Sequence, residues 1–132
     1  MSKSLGNAIL MSDPPDVIAK KVAGAVTDPQ KIRRGDPGRP EVCLVFTYHK
    51  KFNPEAVPPV ESGCRSGELG CVECKRRLSE ALAEHLKEFR GRREQLASRP
   101  DEVRRIVDDG DGRARAAAVE TMTLVRDAMG FS

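Results

Sequence analysis

The sequence predicts an all-α fold, a helical bundle interrupted by one long loop, on three observations. Aromatic residues make up only 4% of the 132 residues, 33% are charged and there is no Trp, a composition that suits Ala/Leu/Val-cored helices and makes poor sheets. Apolar residues recur at helical spacing in several stretches. The one stretch with strand character, carrying Val42, Val45, Phe46, Thr47 and Tyr48, has no second strand to pair with, and a lone strand leaves its backbone groups without hydrogen bonds. The length suits one domain and is short for a two-domain enzyme. No apolar run approaches membrane-spanning length, and Met1 to Asn7 lacks the apolar stretch of a secretory signal. These features predict a cytoplasmic chain with no membrane partner.

The elements follow from their punctuation. Ser12-Asp13-Pro14 supplies a capping residue followed by Pro, near a helical position where its missing N–H costs nothing. Val17, Ile18, Val22 and Val26 then recur with helical period until Thr27-Asp28-Pro29 stops the run. Gly35, Pro37, Gly38 and Pro40 make Lys31 to Pro40 a loop. Glu41 after Pro40 reads as a helix start, so Glu41 to Phe52 is assigned as helix. Asn53 to Gly70 carries Pro54, Pro58, Pro59, Gly63, Gly67 and Gly70 and reads as the long loop. Loops of that length usually carry function or are held by something. Cys71 to about Ser98 reads as one amphipathic helix with Leu78, Ala81, Leu82, Leu86 and Phe89 as its apolar stripe. Arg99-Pro100 breaks it, and a shorter helix follows with Val103, Ile106 and Val107 inward. Gly110 and Gly112 punctuate before a last helix, where Ala114, Ala117, Thr121, Val125 and Ala128 share a face and Gly130 marks the stop.

The net charge is only +3, but its distribution is uneven. Between Lys31 and Arg77 there are 10 basic and 6 acidic residues, whereas Arg99 to Ser132 holds 6 basic and 7 acidic. A basic segment alone can be a solvated surface. This one also contains all four cysteines, which makes it a place where phosphates would be welcome.

The cysteines are spaced C-x20-C-x6-C-x2-C. Cys71 and Cys74, three apart at a helix start, project from one face. Cys64 sits in the Gly-rich turn before them, and Cys43 comes in from an earlier element. Four thiolates converging from three segments can bind a metal or an iron–sulfur cluster, and thiolate softness holds zinc or iron–sulfur against hard ions. Disulfides would need an oxidising compartment, for which no export signal is present. Cys64, Cys71 and Cys74 lie amid Gly, Glu and Arg, unlike unrelated core cysteines. Structural zinc sites usually show two C-x2-4-C knuckles and this chain has one, which tilts the reading toward a [4Fe–4S] cluster with Zn2+ as the alternative. The predicted loop is then closed by that site.

Met1-Ser2-Lys3-Ser4 followed by Leu5-Gly6-Asn7 resembles K-M-S-K-S, the second signature of class I aminoacyl-tRNA synthetases, with its first Lys missing. Lys20-Lys21-Val22-Ala23-Gly24-Ala25-Val26-Thr27-Asp28-Pro29 is similar to the helix and turn that follow this signature in tryptophanyl-tRNA synthetases. Asp108 to Phe131 resembles the last helix of those enzymes. The cysteines with Arg65-Ser66-Gly67-Glu68-Leu69-Gly70 resemble the iron–sulfur subgroup of the family. The resemblance covers essentially the whole chain. It implies the C-terminal, tRNA-binding part of a tryptophan–tRNA ligase. Residues 1–12 would be a remnant of the catalytic signature loop, and residues 13–132 an anticodon-binding-type helical domain with an iron–sulfur site at 43–74. Lys3 would contact the ATP triphosphate and stabilise the transition state of amino-acid activation, where charge develops on the leaving pyrophosphate. Ser2 and Ser4 would assist as hydrogen-bond donors. Cys43, Cys64, Cys71 and Cys74 would hold the cluster beside the anticodon-binding surface.

The nucleotide-binding sheet, the histidine-bearing first signature and the tryptophan pocket of the family would all precede Met1. This polypeptide alone is therefore not expected to activate tryptophan, and ATP and Mg2+ belong to the full-length enzyme, a homodimer in the family. His49 and His85 read as ordinary structural or surface residues. On the tRNA-binding reading, Arg65, Lys75, Arg76 and Arg77, with Arg33 and Arg34, contact phosphates. Single-stranded anticodon bases are read by stacking and edge hydrogen bonds, here mostly on Arg planes, with Tyr48 or Phe52 helping. Charge reversal at Arg76 and Arg77 is expected to weaken tRNA binding in a salt-dependent way. The alternative is a zinc-stapled helical protein-interaction module that binds no RNA. An independent redox protein would need an electron partner, which nothing in the sequence suggests.

Overall fold

The computed structural model describes residues 6–131. Among them every regular element is helical and no strand occurs, as the composition predicts. The chain divides into two compact units, one up to Gly91 and one from Arg92. No helix among the described residues is long and apolar enough to cross a membrane.

In the first unit, α1 runs Pro15–Ala23, α2 Leu44–Phe52, α3 Val57–Ser66 and α4 Cys71–His85, with 3-10 turns at Pro40–Val42 and Pro54–Ala56. Both α1 and α2 pack on α4, and α3 packs on α2. The core is formed by Ile18 and Val22 of α1, Val45 and Phe46 of α2, Val60 of α3, Leu78 and Leu82 of α4, and Leu86. The helical period of α1 is therefore real, but Val26 falls past its end at Gly24 and is 71% exposed. The residue before α1 is Pro14, which makes no side-chain cap. Asp13 instead accepts the Leu10 N–H at 2.8 Å and the Lys21 ammonium at 2.6 Å, while Lys21 also donates to the Ala8 carbonyl at 2.8 Å. That carboxylate fastens the segment before α1 onto the helix.

Asp28 organises the loop between α1 and α2. It is almost wholly buried and accepts four hydrogen bonds: the Gln30 N–H at 3.0 Å, and the Arg39 N–H, Nε and Nη2 at 2.8, 3.1 and 2.7 Å. The Arg39 guanidinium holds its carboxyl well below the ordinary 3.8, the backbone donors acting in the same direction against burial. A carboxyl depressed on folding stabilises the native state fully above its unfolded value and loses that contribution as pH falls through the folded one. The melting temperatures of the unsubstituted chain and Asp28→Asn, several degrees apart at neutral pH, are therefore expected to converge below about pH 3.8. Parallel melting curves down to pH 2.5 (roughly a unit below the reference carboxylate range) would exclude Asp28 as an acid-sensitive tie.

Three expectations are corrected. The stretch from Asn53 to Gly70 is not a long loop: α3 occupies most of it, leaving only Gly67–Gly70 before α4. Pro58 and Pro59 stand in the first turn of α3, where the helix requires no N–H from them. The predicted helix from Cys71 to Ser98 is interrupted at Leu86, with α5 following as Lys87–Ala97, and Phe89 is 41% exposed instead of joining the stripe. The last two predicted helices are one, α6, Pro100–Met129.

A helix of 30 residues is about 45 Å long at 1.5 Å per residue. Gly110 and Gly112 each cost it about 1 kcal/mol relative to Ala. Ala114, Ala116, Ala117 and Ala118 are strong helix formers immediately after them. Gly130, at φ 71°, does end it, with the Phe131 N–H returning to the Arg126 carbonyl at 2.9 Å. Val103, Ile106 and Val107, expected inward, are exposed.

Candidate functional site

Cys43 is the residue immediately before α2, and its carbonyl accepts the Thr47 N–H at 3.2 Å. Cys71 opens α4, and Cys74 lies one turn further on. Cys64 is in the last turn of α3, where a glycine-rich turn was expected. Its carbonyl receives the Gly38 N–H at 2.8 Å, the Gly67 N–H at 3.3 Å and the Lys31 ammonium at 3.3 Å. The loop before α2 is thereby laid against the cysteine-bearing corner.

Two glycines make this approach feasible. A Cβ on Gly38 would sit 2.7 Å from Cys64 Sγ. Gly67 adopts φ +82°, and a Cβ there would lie 2.1 Å from the Gly35 carbonyl oxygen. Only the absence of a side chain lets the two loops touch.

All four cysteines are free thiols, Cys43 buried and the others half-buried. Burial pushes the Cys74 thiol up to about 12, and the negative charges of Cys43, Cys64 and Cys71 add to the effect. Burial likewise raises Cys64, opposed by the Lys31 ammonium and reinforced by Cys43 and Cys71. At Cys64 and Cys74, desolvation disfavours the thiolate, a cost that a bound cation would offset.

The donor set is thus one that suits a positively charged thiophilic group. Among the described residues, no three His, Cys, Asp or Glu side chains converge closely enough to hold a single metal ion. Zinc would need all its sulfurs near 2.3 Å from one point. A [4Fe–4S] cluster ligates each cysteine through a different iron, so its thiolates stand further apart.

Next to Cys71 lies an open groove of about 600 Å³. Arg33, Arg34 and Arg77 line it together with Lys31, Cys71 and Glu73. Asp36 shapes the turn that carries the first two, accepting the Ile32 and Arg33 N–H groups at 3.2 and 2.7 Å. Arg33 and Arg34 are exposed and make no ion pair among the described residues. Arg77 donates from Nε to Glu73 at 2.8 Å. Arg76 and then Arg77 hold the Glu73 carboxyl down at about 2, so its charge in the groove is already matched.

The other predicted phosphate contacts lie elsewhere. Arg65 pairs with Glu61 at 2.9 Å and Glu41 at 3.3 Å. Arg76 is bound by Glu73 at 2.8 Å and by Glu80. Lys75 donates to the Ala23 carbonyl at 2.8 Å, tying α4 to the end of α1. Tyr48 and Phe52 pack on each other with ring centroids 5.8 Å apart, and Phe52 meets His85 edge-on at 5.3 Å. Neither ring lines the arginine groove. Lys3, Ser2 and Ser4 lie outside the described residues.

The family model for class I tRNA synthetases (W and Y) matches residues 1–87, the stretch that contains all four cysteines and the groove. The chain belongs to this family. Its relatives include proteins named tryptophan–tRNA ligase from Aquifex aeolicus, 49% identical over 98% of this chain, and from Deinococcus radiodurans, 46% identical over 99%. The chain spans 33% and 40% of their respective lengths. The crystal structure of tryptophanyl-tRNA synthetase from Campylobacter jejuni superposes with a TM-score of 0.85 at 27% identity, covering 98% of this chain and 42% of that one. Membership in this synthetase family agrees with the family resemblance read from the sequence.

One residue of the site was missed. His49, read as ordinary, is fully buried and places Nε2 3.2 Å from the Cys74 carbonyl oxygen and 3.5 Å from Cys74 Sγ. Burial lowers its pKa, the Cys74 hydrogen bond opposing and Arg77 assisting. Its sequence signal was position: His49 shares one face of α2 with the core residues Val45 and Phe46, an apolar face on which a polar ring needs a specific partner.

Proposed function

We propose that this chain is the tRNA-binding portion of a tryptophan–tRNA ligase, contacting the anticodon region through the arginine groove, with a [4Fe–4S] cluster on Cys43, Cys64, Cys71 and Cys74. The observation that carries the reading is the meeting of Arg33, Arg34 and Arg77 with Cys71 at one groove, in a chain whose relatives are named for tryptophan–tRNA ligation. Arginine planes can both pair with phosphates and stack on unpaired bases. The cluster would supply a rigid link between the start of α2 and the α3–α4 corner. The chain's own groups do the positioning: Lys31 and Gly38 hold the loop to the Cys64 carbonyl, and Asp36 shapes the turn that presents Arg33 and Arg34.

ATP and Mg2+ would belong to the complete enzyme, as the resemblance implies. Lys3, aided by Ser2 and Ser4, would meet the triphosphate there, and the complete enzyme would be a homodimer.

Anaerobic purification with quantified iron, sulfide and zinc tests the metal assignment. About four irons and four sulfides per chain, lost in Cys64→Ser, is the expected result. Stoichiometric zinc without iron would replace the cluster by the zinc-stapled alternative, and retention of tRNA by the zinc form would then decide between an RNA-binding and a protein-binding module.

A further inference from the structure

His49 is a buried ring whose two nitrogens both have assigned partners, and the partners dictate its tautomer. The Cys74 carbonyl, 3.2 Å from Nε2, can only accept, so Nε2 carries the hydrogen. The Asn53 amide, whose Nδ2 is 3.3 Å from Nδ1, then donates to the bare nitrogen. The same Nε2–H lies 3.5 Å from Cys74 Sγ, within reach of an N–H···S contact shared with the carbonyl.

We propose that His49 is a positioning residue for the cluster, donating Nε2–H toward the Cys74 sulfur so that the ligand's negative charge is both oriented and stabilised. The inference rests on the cluster reading above and deepens it. Hydrogen bonds to cluster sulfurs are among the factors that set cluster potential, and groups orienting a ligand from outside govern how firmly it holds its metal. Three features make His49 suited to this. It is rigid, because α2 and α4 pack directly on one another. It is dry, with no exposed surface. Its tautomer is held by Asn53 from the far side, one helical turn along α2.

The test uses the whole chain, anaerobically loaded. In His49→Leu the ring's bulk is approximated and the donor removed. His49→Gln keeps an N–H donor on a side chain of similar reach. Asn53→Leu leaves the ring in place and removes the donor to Nδ1, so that the Nε2–H tautomer is held from the Cys74 side alone.

The expected result is that His49→Leu takes up iron but loses it to a chelator about tenfold faster. Its midpoint potential moves negative by the equivalent of a tenfold change, about 59 mV for one electron, and its Fe–S stretching bands shift. His49→Gln recovers most of the difference, and Asn53→Leu falls between. Cluster potential and stretching bands equal to those of the unsubstituted chain in both His49→Leu and Asn53→Leu would overturn the role of His49 while leaving the cluster intact. Should His49→Leu fail to fold, Asn53→Leu decides the matter by the same two readings. Absence of iron in the unsubstituted chain would overturn the cluster reading and this inference together.

Discussion

Gly67→Ala is expected to lower the stability of the first unit by about 3 kcal/mol, a sum of left-handed backbone cost of roughly 1–2 kcal/mol and overpacking of roughly 1–3 kcal/mol. The backbone at Gly67 has φ +82°, and the new methyl would fall 2.1 Å from the Gly35 oxygen, a backbone atom that can retreat only if the loop carrying Arg33 and Arg34 lifts from the α3–α4 corner. Gly70→Ala is the matched control. Its φ is −72° and its surroundings are open, so its change should stay within about 0.5 kcal/mol. Urea unfolding midpoints of the two variants measure the difference. Equal midpoints would mean that the loop is not held where Gly67 places it.

The paired reversal Arg33→Glu, Arg34→Glu is expected to weaken tRNA binding about 100-fold at low salt, roughly tenfold for each lost contact of about 1.4 kcal/mol. The slope of log affinity against log salt should become shallower by about 1.4, since each single-strand phosphate contact contributes roughly 0.7. Arg76→Glu should act less strongly, because that guanidinium is already engaged by Glu73 and Glu80. This order departs from the sequence expectation, which put Arg76 and Arg77 foremost. Filter binding across a salt series compares them directly. A larger effect at Arg76 than at the Arg33–Arg34 pair would move the interface away from the groove.

The helices that could be read from the sequence are those whose ends carry chemistry. Ile18 and Val22 gave α1 its face, Pro14 its start, and Leu78 and Leu82 marked the buried stripe of α4. α3 was hidden because Pro58 and Pro59 look like loop residues by composition, whereas in a first turn their missing N–H groups are not needed. α6 was divided in two because Gly110 and Gly112 look like stops. An exposed helix tolerates them when the flanking alanines offset the entropy. The interruption at Leu86 has no Gly or Pro to announce it. Of the site, the cysteine spacing and the basic residues were legible, but their grouping was not. Which arginines share a groove with Cys71 depends on Gly38 and Gly67 allowing two distant loops to meet, and no periodicity encodes that meeting.

The pairing of α1 with α4 sets the order in which this unit can be made. Ile18 and Val22 find their apolar partners in Leu78 and Leu82, and the Lys75–Ala23 tie closes across 52 residues of sequence. During synthesis, α1 therefore leaves the ribosome before the α4 residues on which its buried face packs. Contacts between distant segments form slowly, since the intervening chain must give up its freedom before they repay it. A bridge between Cys43 and the Cys64–Cys74 corner would shorten that search, because α2 would already be fixed to the start of α4 when α1 arrives. The four sulfurs would then act as an assembly aid during birth of the chain as well as a brace in the finished molecule.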